Sequence, residues 1–195
     1  MNQKNLLEVD WSVIPAPVDD GGADHLKGMS IPPIALLATD DTSVVLAELS
    51  GRSVVFAYPR TGEPGKIALV DDWDMIPGAR GCTPQTCAFR DLFADLKAAG
   101  ARHVFGLSTQ DNDYQTEMAN RLHLPFPVLS DHDLALAQAL DLPTMEAGGE
   151  TLLKRMALIV DDAAITHVFY PVFPPDRNAG DVLAWLKANP KTQRS

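Results

Sequence analysis

The sequence predicts an α/β fold built around a mixed sheet. Short apolar runs with the character of buried strands alternate with segments in which apolar residues recur at helical spacing. The last two apolar runs are separated only by a short turn, which indicates an antiparallel hairpin beside strands that are connected through helices. A sheet with both kinds of connection contains parallel and antiparallel pairs.

The first half of the chain supplies three predicted strands and the longest predicted helix. The strands are expected at residues 34–37, 44–46 and 53–58. The run 53–58 is continuously apolar, as is typical of a strand buried on both faces. A helix is expected over 82–99, because its apolar residues recur at helical spacing and Gly100 follows its last turn.

The second half alternates in the same way before it ends in a hairpin and a helix. Strands are expected at 103–107, 126–129, 155–160 and 165–170, and helices at 112–122, 134–140 and 179–188. Asp111 or Asn112 is the expected N-cap of the helix at 112–122. The closing hairpin turns at 161–164, where two aspartates follow an apolar run.

Length and composition argue for a single domain and against two classes of partner. The chain has 195 residues, a formal net charge of −10 and no cluster of lysine and arginine, which argues against nucleic acid or an anionic membrane as a partner. It has no apolar run of membrane-spanning length, and its first residues lack the apolar core of a secretory signal. We therefore expect a cytoplasmic location.

The chain is predicted to divide into a short extension and one main domain. Residues 1–28 are interpreted as an N-terminal extension, because the Asp-Asp-Gly-Gly run at 19–22 is a turn or linker signal. Residues 29–195 form the expected main domain.

The two cysteines of the chain form its most informative feature. Cys82 and Cys87 lie in the run GCTPQTCAFRD at 81–91, directly after a segment rich in proline and glycine. Cys82 is thereby expected at the first turn of a helix, where unpaired N–H groups and the helix dipole favour an anion. A thiol at that position should lose its proton more easily, and the thiolate is the reactive species.

Helix geometry keeps the two sulfur atoms apart. Five residues of α-helix place the two Cα atoms roughly 8.7 Å from each other, and a disulfide spans at most about 7 Å. Cys82 and Cys87 can therefore pair only after the first turn unwinds, which describes a redox cycle and not a structural cross-link. A second interpretation, two unreactive buried thiols, is the common one for free cysteines, but the Gly-Cys-Thr-Pro lead-in disfavours it.

Other cysteine chemistries fit the spacing poorly. A zinc site would need closer cysteine pairs and further ligands, whereas the five histidines are scattered without ligand spacing. The C-x-x-C pair of thioredoxin-type oxidoreductases is also absent from the sequence.

The segment 81–91 resembles the active-site signature of the peroxiredoxins, in particular their Q-type or bacterioferritin-comigratory-protein branch. Residues 53–59, 126–131 and 155–161 resemble further segments of that family, and the likeness extends over about residues 28–189. The resemblance implies a thioredoxin-like fold in which helices flank the mixed central sheet.

The resemblance also implies roles for individual residues. Cys82 would be the peroxidatic cysteine and Cys87 the resolving one. Arg155 would hold the thiolate and stabilise charge on the leaving oxygen. Pro59 would shield the sulfur and shape the pocket, and Thr83 would cap the helix or position the peroxide.

One departure from the family pattern concerns an active-site hydroxyl. The family usually has Pro-x-x-x-Thr-x-x-Cys, but here Pro59 lies 23 residues before the first cysteine and Ala79 occupies the usual threonine position. An insertion at about 62–77 splits the motif. The missing hydroxyl is expected from Thr61 or, as a weaker candidate, from Thr83; the remaining alternative is that backbone N–H groups act alone.

The implied activity is that of an antioxidant, thiol-dependent peroxidase acting on hydrogen peroxide or organic hydroperoxides. A thioredoxin- or glutaredoxin-like protein would reduce the resulting disulfide, and no haem, flavin or metal cofactor is expected. The protein is expected to be a monomer or a weak homodimer. Two alternatives stay open at this point, a redox-sensing module on the same fold and a thiol-disulfide exchange protein.

Overall fold

The computed structural model describes residues 9–191 and contains a seven-stranded sheet with the order β2-β1-β5-β4-β3-β8-β9. The strands are β1 (Ala35–Ala38), β2 (Ser43–Val45), β3 (Arg52–Ala57), β4 (His103–Ser108), β5 (Val128–Ser130), β6 (Thr144–Ala147), β7 (Glu150–Leu153), β8 (Met156–Asp161) and β9 (Ala164–Phe169). The α-helices are α1 (Cys82–Asp91), α2 (Phe93–Ala98), α3 (Asn112–Arg121), α4 (Ala135–Leu140) and α5 (Asn178–Ala188). Strands β6 and β7 form a separate hairpin.

The sheet is mixed, which confirms the predicted fold class. Strand β4 pairs in parallel with β3 and with β5, and the other pairs of the sheet are antiparallel. The parallel pairs are connected through helices, whereas β8 and β9 follow each other as the expected hairpin. This arrangement places the carboxyl ends of β3 and β4 at one edge, which is where ligands bind in many open α/β sheets.

Two apolar cores lie on opposite faces of the sheet, and β3 contributes to both. Val55 and Ala57 belong to one core, and Val54 and Phe56 belong to the other. Successive side chains of a strand point to opposite faces of the sheet. Because both faces are covered by a core, all of β3 is buried and its central run is apolar. Phe56 stacks on Phe89 of α1 with ring centroids 4.0 Å apart, which presses the cysteine-bearing helix onto the sheet.

The prediction of a single helix over 82–99 is wrong in one respect: the segment forms two helices, since α1 ends at Asp91 and α2 begins at Phe93. Leu92 between them has φ −95° and ψ 6°, outside the helical region. Phe89 and Leu96 are nevertheless both fully buried in the same core. The helical spacing of apolar residues continues across the break, and the sequence pattern therefore did not reveal that the helix is interrupted.

The β6–β7 hairpin was not predicted. Its signal is the Gly148–Gly149 pair between the two strands, because both glycines have positive φ and Ala147 pairs with Glu150 across them. A two-residue loop with positive φ at both positions is the preferred hairpin connection.

Asp131, which follows β5, holds the start of α4 through its side chain. It is buried, and its carboxylate accepts hydrogen bonds from Leu136 N (2.9 Å) and Ala137 N (2.8 Å), the first turn of α4. Burial raises the pKa of Asp131, while those backbone bonds act in the opposite direction.

The N-terminal part of the described chain packs on the main domain. Leu26 is fully buried in one of the cores, Gly28 N donates to Ile165 O (2.8 Å), and Ser30 bridges to Ala164 at the start of β9. Further upstream, Asp20 binds Lys154 (2.6 Å). The division of the chain near residue 28 stays a prediction, and residues 1–8 of the expected extension lie outside the described residues.

Candidate active site

Cys82 is the first residue of α1, as the sequence predicted. The preceding Gly81 is the N-cap and has φ +104°, a conformation that side-chain-bearing residues rarely adopt. A Cβ atom at this position would lie 2.6 Å from Pro175 Cγ and 2.7 Å from Trp11 Cη2. Only glycine therefore fits, and the helix starts with its unpaired N–H groups beside the thiol.

Arg155 contacts the sulfur directly. Its Nη2 donates to Cys82 Sγ at 3.2 Å, and the residue is only 3 % exposed. The same nitrogen lies 3.1 Å from the carbonyl oxygens of Gly78, Ala79 and Arg80, which hold it against the loop before α1. Arg155 lies one residue before β8, so the sheet places its guanidinium at the start of the cysteine helix.

Two residues that sequence reasoning missed orient this arginine. Gln85 is fully buried on α1, and its Oε1 accepts a hydrogen bond from Arg155 Nη1. Gln85 Nε2 in turn donates to Asn178 Oδ1 at 2.9 Å, which connects α1 to the first residue of α5. A signal was available for Gln85, because its position one turn after Cys82 places both side chains on the same helix face.

Cys87 lies on the same regular helix and is also buried. Both cysteines are free. Because α1 is continuous from Cys82 through Cys87, their Cα atoms are roughly 8.7 Å apart by helix geometry, beyond the reach of a disulfide. Burial raises the pKa of the Cys87 thiol, although the positive charges of Arg90 and Arg121 act in the opposite direction.

This raised pKa predicts a specific alkylation profile for Cys87. A thiol with a higher pKa has a smaller thiolate fraction at neutral pH, so alkylation of Cys87 should be slow near pH 7 and should accelerate only as the pH approaches the raised pKa. The measurement is the iodoacetamide rate of the Cys82→Ser variant between about pH 6 and pH 10. The urea-unfolded variant is the control, and a folded midpoint at or below the unfolded one would contradict the prediction.

A cavity of about 910 Å³ opens beside both cysteines. Two segments form most of its lining: residues 80–84 at the start of α1, and residues 60–69, 73 and 74 in and just before the insertion. The other lining residues are Val9, Cys87, Arg90, Tyr114, Arg121 and Leu122. The insertion therefore folds over the cysteine helix and forms one wall of the site. Its Asp74 forms an ion pair with Arg80, and its Gly62 carbonyl accepts from Arg121 Nη2 (3.3 Å).

The two candidate hydroxyls both lie at this cavity. Thr83 is in the first turn of α1. Thr61 is buried and is held by Gln110, whose Oε1 accepts from Thr61 N (2.9 Å) and Oγ1 (3.1 Å). Gln110 Nε2 also donates to Thr61 O at 3.2 Å, so one amide side chain fixes the entry into the insertion.

Pro59 is not among the residues that line the cavity, whereas Ala79 contacts the site through its backbone carbonyl. Pro59 is buried shortly after β3, two residues before Thr61. Ala79, which stands at the family's usual threonine position, contributes its carbonyl oxygen, which accepts from Arg155 and from the Cys82 thiol at 3.5 Å. Tyr58 is fully buried close to Cys82, and this burial raises its pKa.

Two further features are absent from residues 9–191. No group of three or more histidine, cysteine, aspartate or glutamate side chains is arranged there to hold a metal ion. No helix in that part of the chain is both long enough and apolar enough to cross a bilayer.

The fold and the thiol site define a class of protein, and comparison of this chain with known sequences and structures identifies the same class. Residues 26–183 match the sequence model of the Redoxin family, and the chain therefore belongs to that family. The solved peroxidoxin BcpB of Mycobacterium tuberculosis is similar to it at 25% identity with a TM-score of 0.68, covering 86% of this chain and 100% of that one. Peroxiredoxin Q of Xanthomonas campestris shares the fold at 20% identity and a TM-score of 0.64 over 91% and 99% of the two chains.

Curated relatives refine this assignment. The chloroplastic peroxiredoxin Q of Oryza sativa subsp. japonica is 30% identical over 164 residues, which cover 83% of this chain and 67% of that protein. Peroxiredoxin Q of Populus jackii is 29% identical over 83% of this chain and 68% of that protein. Within the redoxins the chain is accordingly a peroxiredoxin of the Q type, a thiol-dependent peroxidase.

Proposed function

We propose that Cys82 is the peroxidatic cysteine and Cys87 the resolving cysteine of a peroxidase that reduces hydrogen peroxide and organic hydroperoxides. The observation that carries this assignment is the contact of Arg155 Nη2 with Cys82 Sγ at 3.2 Å, at the start of a helix. A buried positive charge lies beside this sulfur at the N-terminus of the helix, and both cysteines border the same cavity.

In the first step, the Cys82 thiolate attacks one oxygen of the peroxide O–O bond. The sulfur is oxidised to a sulfenic acid, and the other oxygen leaves with the bonding electrons and takes up a proton to become water or an alcohol. Arg155 and the N–H groups of the first helical turn stabilise the charge that develops on the leaving oxygen. Thr61 or Thr83 supplies a hydroxyl that orients the peroxide.

In the second step, the Cys87 sulfur attacks the sulfenic sulfur of Cys82. The S–O bond breaks, a disulfide forms, and water leaves. The first turn of α1 must unwind for this, because the helical Cα separation of roughly 8.7 Å exceeds the span of a disulfide. A thioredoxin- or glutaredoxin-like dithiol then reduces the disulfide by thiol exchange.

The cavity supports organic hydroperoxides as substrates. Its volume of about 910 Å³ is far larger than hydrogen peroxide requires, and Ile67, Leu69, Trp73 and Leu122 give parts of its wall an apolar character. Alkyl peroxide reduction is the activity ascribed to the bacterioferritin comigratory protein of Xanthomonas campestris, a structural neighbour of this chain. We extend that substrate class to this protein.

The test is the intact mass of the reduced protein after one equivalent of peroxide. A loss of two hydrogens is expected, because the Cys82–Cys87 disulfide replaces two thiols. Sustained peroxide consumption with a thioredoxin system should accompany it. Oxidation without sustained turnover would indicate a redox sensor instead, and the absence of a fast reaction with peroxide would indicate a thiol-disulfide exchange protein.

The cellular setting is part of the same proposal. A transient catalytic disulfide suits a reducing compartment such as the cytoplasm, whereas the curated plant relatives are chloroplastic proteins. We also propose that the protein acts as a monomer or a weak homodimer, which sedimentation velocity of the reduced and oxidised forms would decide.

A further inference from the structure

The segment 9–17 lies across the start of the cysteine helix. It precedes residues 26–183, which match the Redoxin family. A short 3-10 turn, Trp11–Val13, forms its centre, and Asp10 caps that turn by accepting from Ser12 N at 3.0 Å.

Trp11 packs directly against the N-cap of α1. A Cβ atom added to Gly81 would lie only 2.7 Å from Trp11 Cη2, which shows that the indole ring touches the Gly81 backbone. Pro175 closes the other side of the same glycine, at 2.6 Å from that added atom. Gly81 is thus confined between two rigid rings.

The indole is itself anchored to the loop before α5. Trp11 Nε1 donates to Asp176 Oδ2 at 3.0 Å, and the ring meets Phe173 edge to face with centroids 6.0 Å apart. These contacts attach Trp11 to the main domain independently of α1. The ring therefore acts as a fixed support for Gly81 and does not simply follow the helix.

The two ends of the segment also reach the site. Val9 lines the cavity that contains both cysteines. Pro17 lies beside Gly78, with its Cβ 3.6 Å from the position of an added Cβ, and the Gly78 carbonyl accepts from Arg155. The segment thus spans from the peroxide cavity to the loop that holds the active-site arginine.

We propose that Trp11 is a positioning residue that keeps the first turn of α1 helical. It thereby sets how much of the Cys82 sulfenic acid becomes a disulfide and how much becomes a sulfinic acid. This inference rests on the proposed roles of Cys82 and Cys87. The sulfenic acid has two fates: attack by Cys87 yields the disulfide and water, and reaction with a second peroxide yields a sulfinic acid and an alcohol or water.

Trp11 affects these two fates in opposite directions. Resolution requires that the turn at Gly81 and Cys82 unwinds, and contacts present only in the helical form slow that unwinding. The reaction with a second peroxide requires the helical site with Arg155 at the sulfur. Removal of Trp11 should accordingly favour the disulfide and protect Cys82 from over-oxidation.

The expected result is a rise of about tenfold in the disulfide-to-sulfinate ratio for Trp11→Ala, which corresponds to about 1.4 kcal/mol. Trp11→Phe retains an aromatic ring without the N–H donor and should give an intermediate ratio. Asp176→Asn, which weakens the anchor, should also raise the ratio. The matched control is Val13→Ala, because Val13 lies in the same turn but is 71 % exposed.

The measurement treats each reduced variant with a range of peroxide excess without a reductant and determines the products by intact mass. The disulfide lacks two hydrogens, and the sulfinic acid is heavier than the thiol by about 32 Da. Hydrogen exchange of residues 82–87 in the reduced proteins provides the second readout. It should accelerate in Trp11→Ala and not in Val13→Ala.

A ratio for Trp11→Ala within about twofold of wild type, or a shift toward the sulfinate, overturns the proposal. If Trp11→Ala does not fold, Asp176→Asn and Trp11→Phe decide by the same criterion. If the wild-type protein forms no Cys82–Cys87 disulfide, the assignment of the two cysteines fails. If wild type forms the disulfide and the disulfide-to-sulfinate ratio does not change in the Trp11 variants, only the proposed role of Trp11 fails.

Discussion

Cys82→Ser is expected to abolish peroxidase activity, with a residual rate below about one thousandth of wild type. A serine hydroxyl stays protonated at neutral pH and forms no sulfenic acid, so neither step of the cycle can occur. The serine side chain still fits, because the substitution replaces a buried sulfur with a smaller oxygen beside Arg155. The measurement is the rate of peroxide loss with a thioredoxin system, together with a circular dichroism melt that shows an intact fold.

Cys87→Ser is the matched control for that variant. The substituted residue lies on the same helix and also loses its sulfur atom. The variant should still react with one equivalent of peroxide but should lose thioredoxin-supported turnover, because the sulfenic acid of Cys82 has no cysteine with which to form a disulfide. Equal single-turnover rates in Cys82→Ser and Cys87→Ser would contradict the assignment of roles. So would sustained thioredoxin-supported turnover by Cys82→Ser.

Arg155→Met is expected to lower kcat/KM for peroxide by about a hundredfold to a thousandfold, as found when one fixed donor is removed from a transition state. Methionine fills much of the same space but provides neither charge nor donors. The variant also leaves four oxygens without this donor, namely the carbonyls of 78–80 and Gln85 Oε1. A lower free energy of unfolding should therefore accompany the loss of activity.

Arg155→Lys separates the charge from the geometry. Lysine retains the positive charge but lacks the planar fork that reaches Cys82 Sγ, the backbone carbonyls and Gln85 together. Its kcat/KM should lie between those of wild type and Arg155→Met, with a rate deficit for the reaction of Cys82 measured in a single turnover. A wild-type single-turnover rate in either variant would show that Arg155 has no part in the chemistry.

The features that could be predicted from the sequence are those with a local cause. The unbroken apolar run of β3 indicated a strand buried on both faces, and the Pro- and Gly-rich lead-in indicated that a helix starts at Cys82. Spacing alone showed that Cys82 and Cys87 cannot pair within a regular helix. The break at Leu92 escaped prediction because it leaves Phe89 and Leu96 in the same core, so the apolar pattern is unchanged.

The features that could not be predicted depend on residues far apart in the chain. Arg155 was expected at the site only through family resemblance, and nothing local predicts that its guanidinium meets a sulfur 73 positions away. The partner of Gln85 is Asn178, on the closing helix. The place of the insertion was likewise open, because its position depends on contacts with Arg80 and Arg121, which lie outside it.

By itself, the sequence determined the chemistry that is available: two thiols at a helical spacing that keeps them apart, and a glycine before the first. Helix geometry and the preferences of glycine act over a few residues and need no knowledge of the rest of the chain. Only the tertiary structure decided what surrounds that first thiol. Arg155, Gln85, the insertion and Trp11 converge there because the sheet and the cores bring distant segments to one helix terminus.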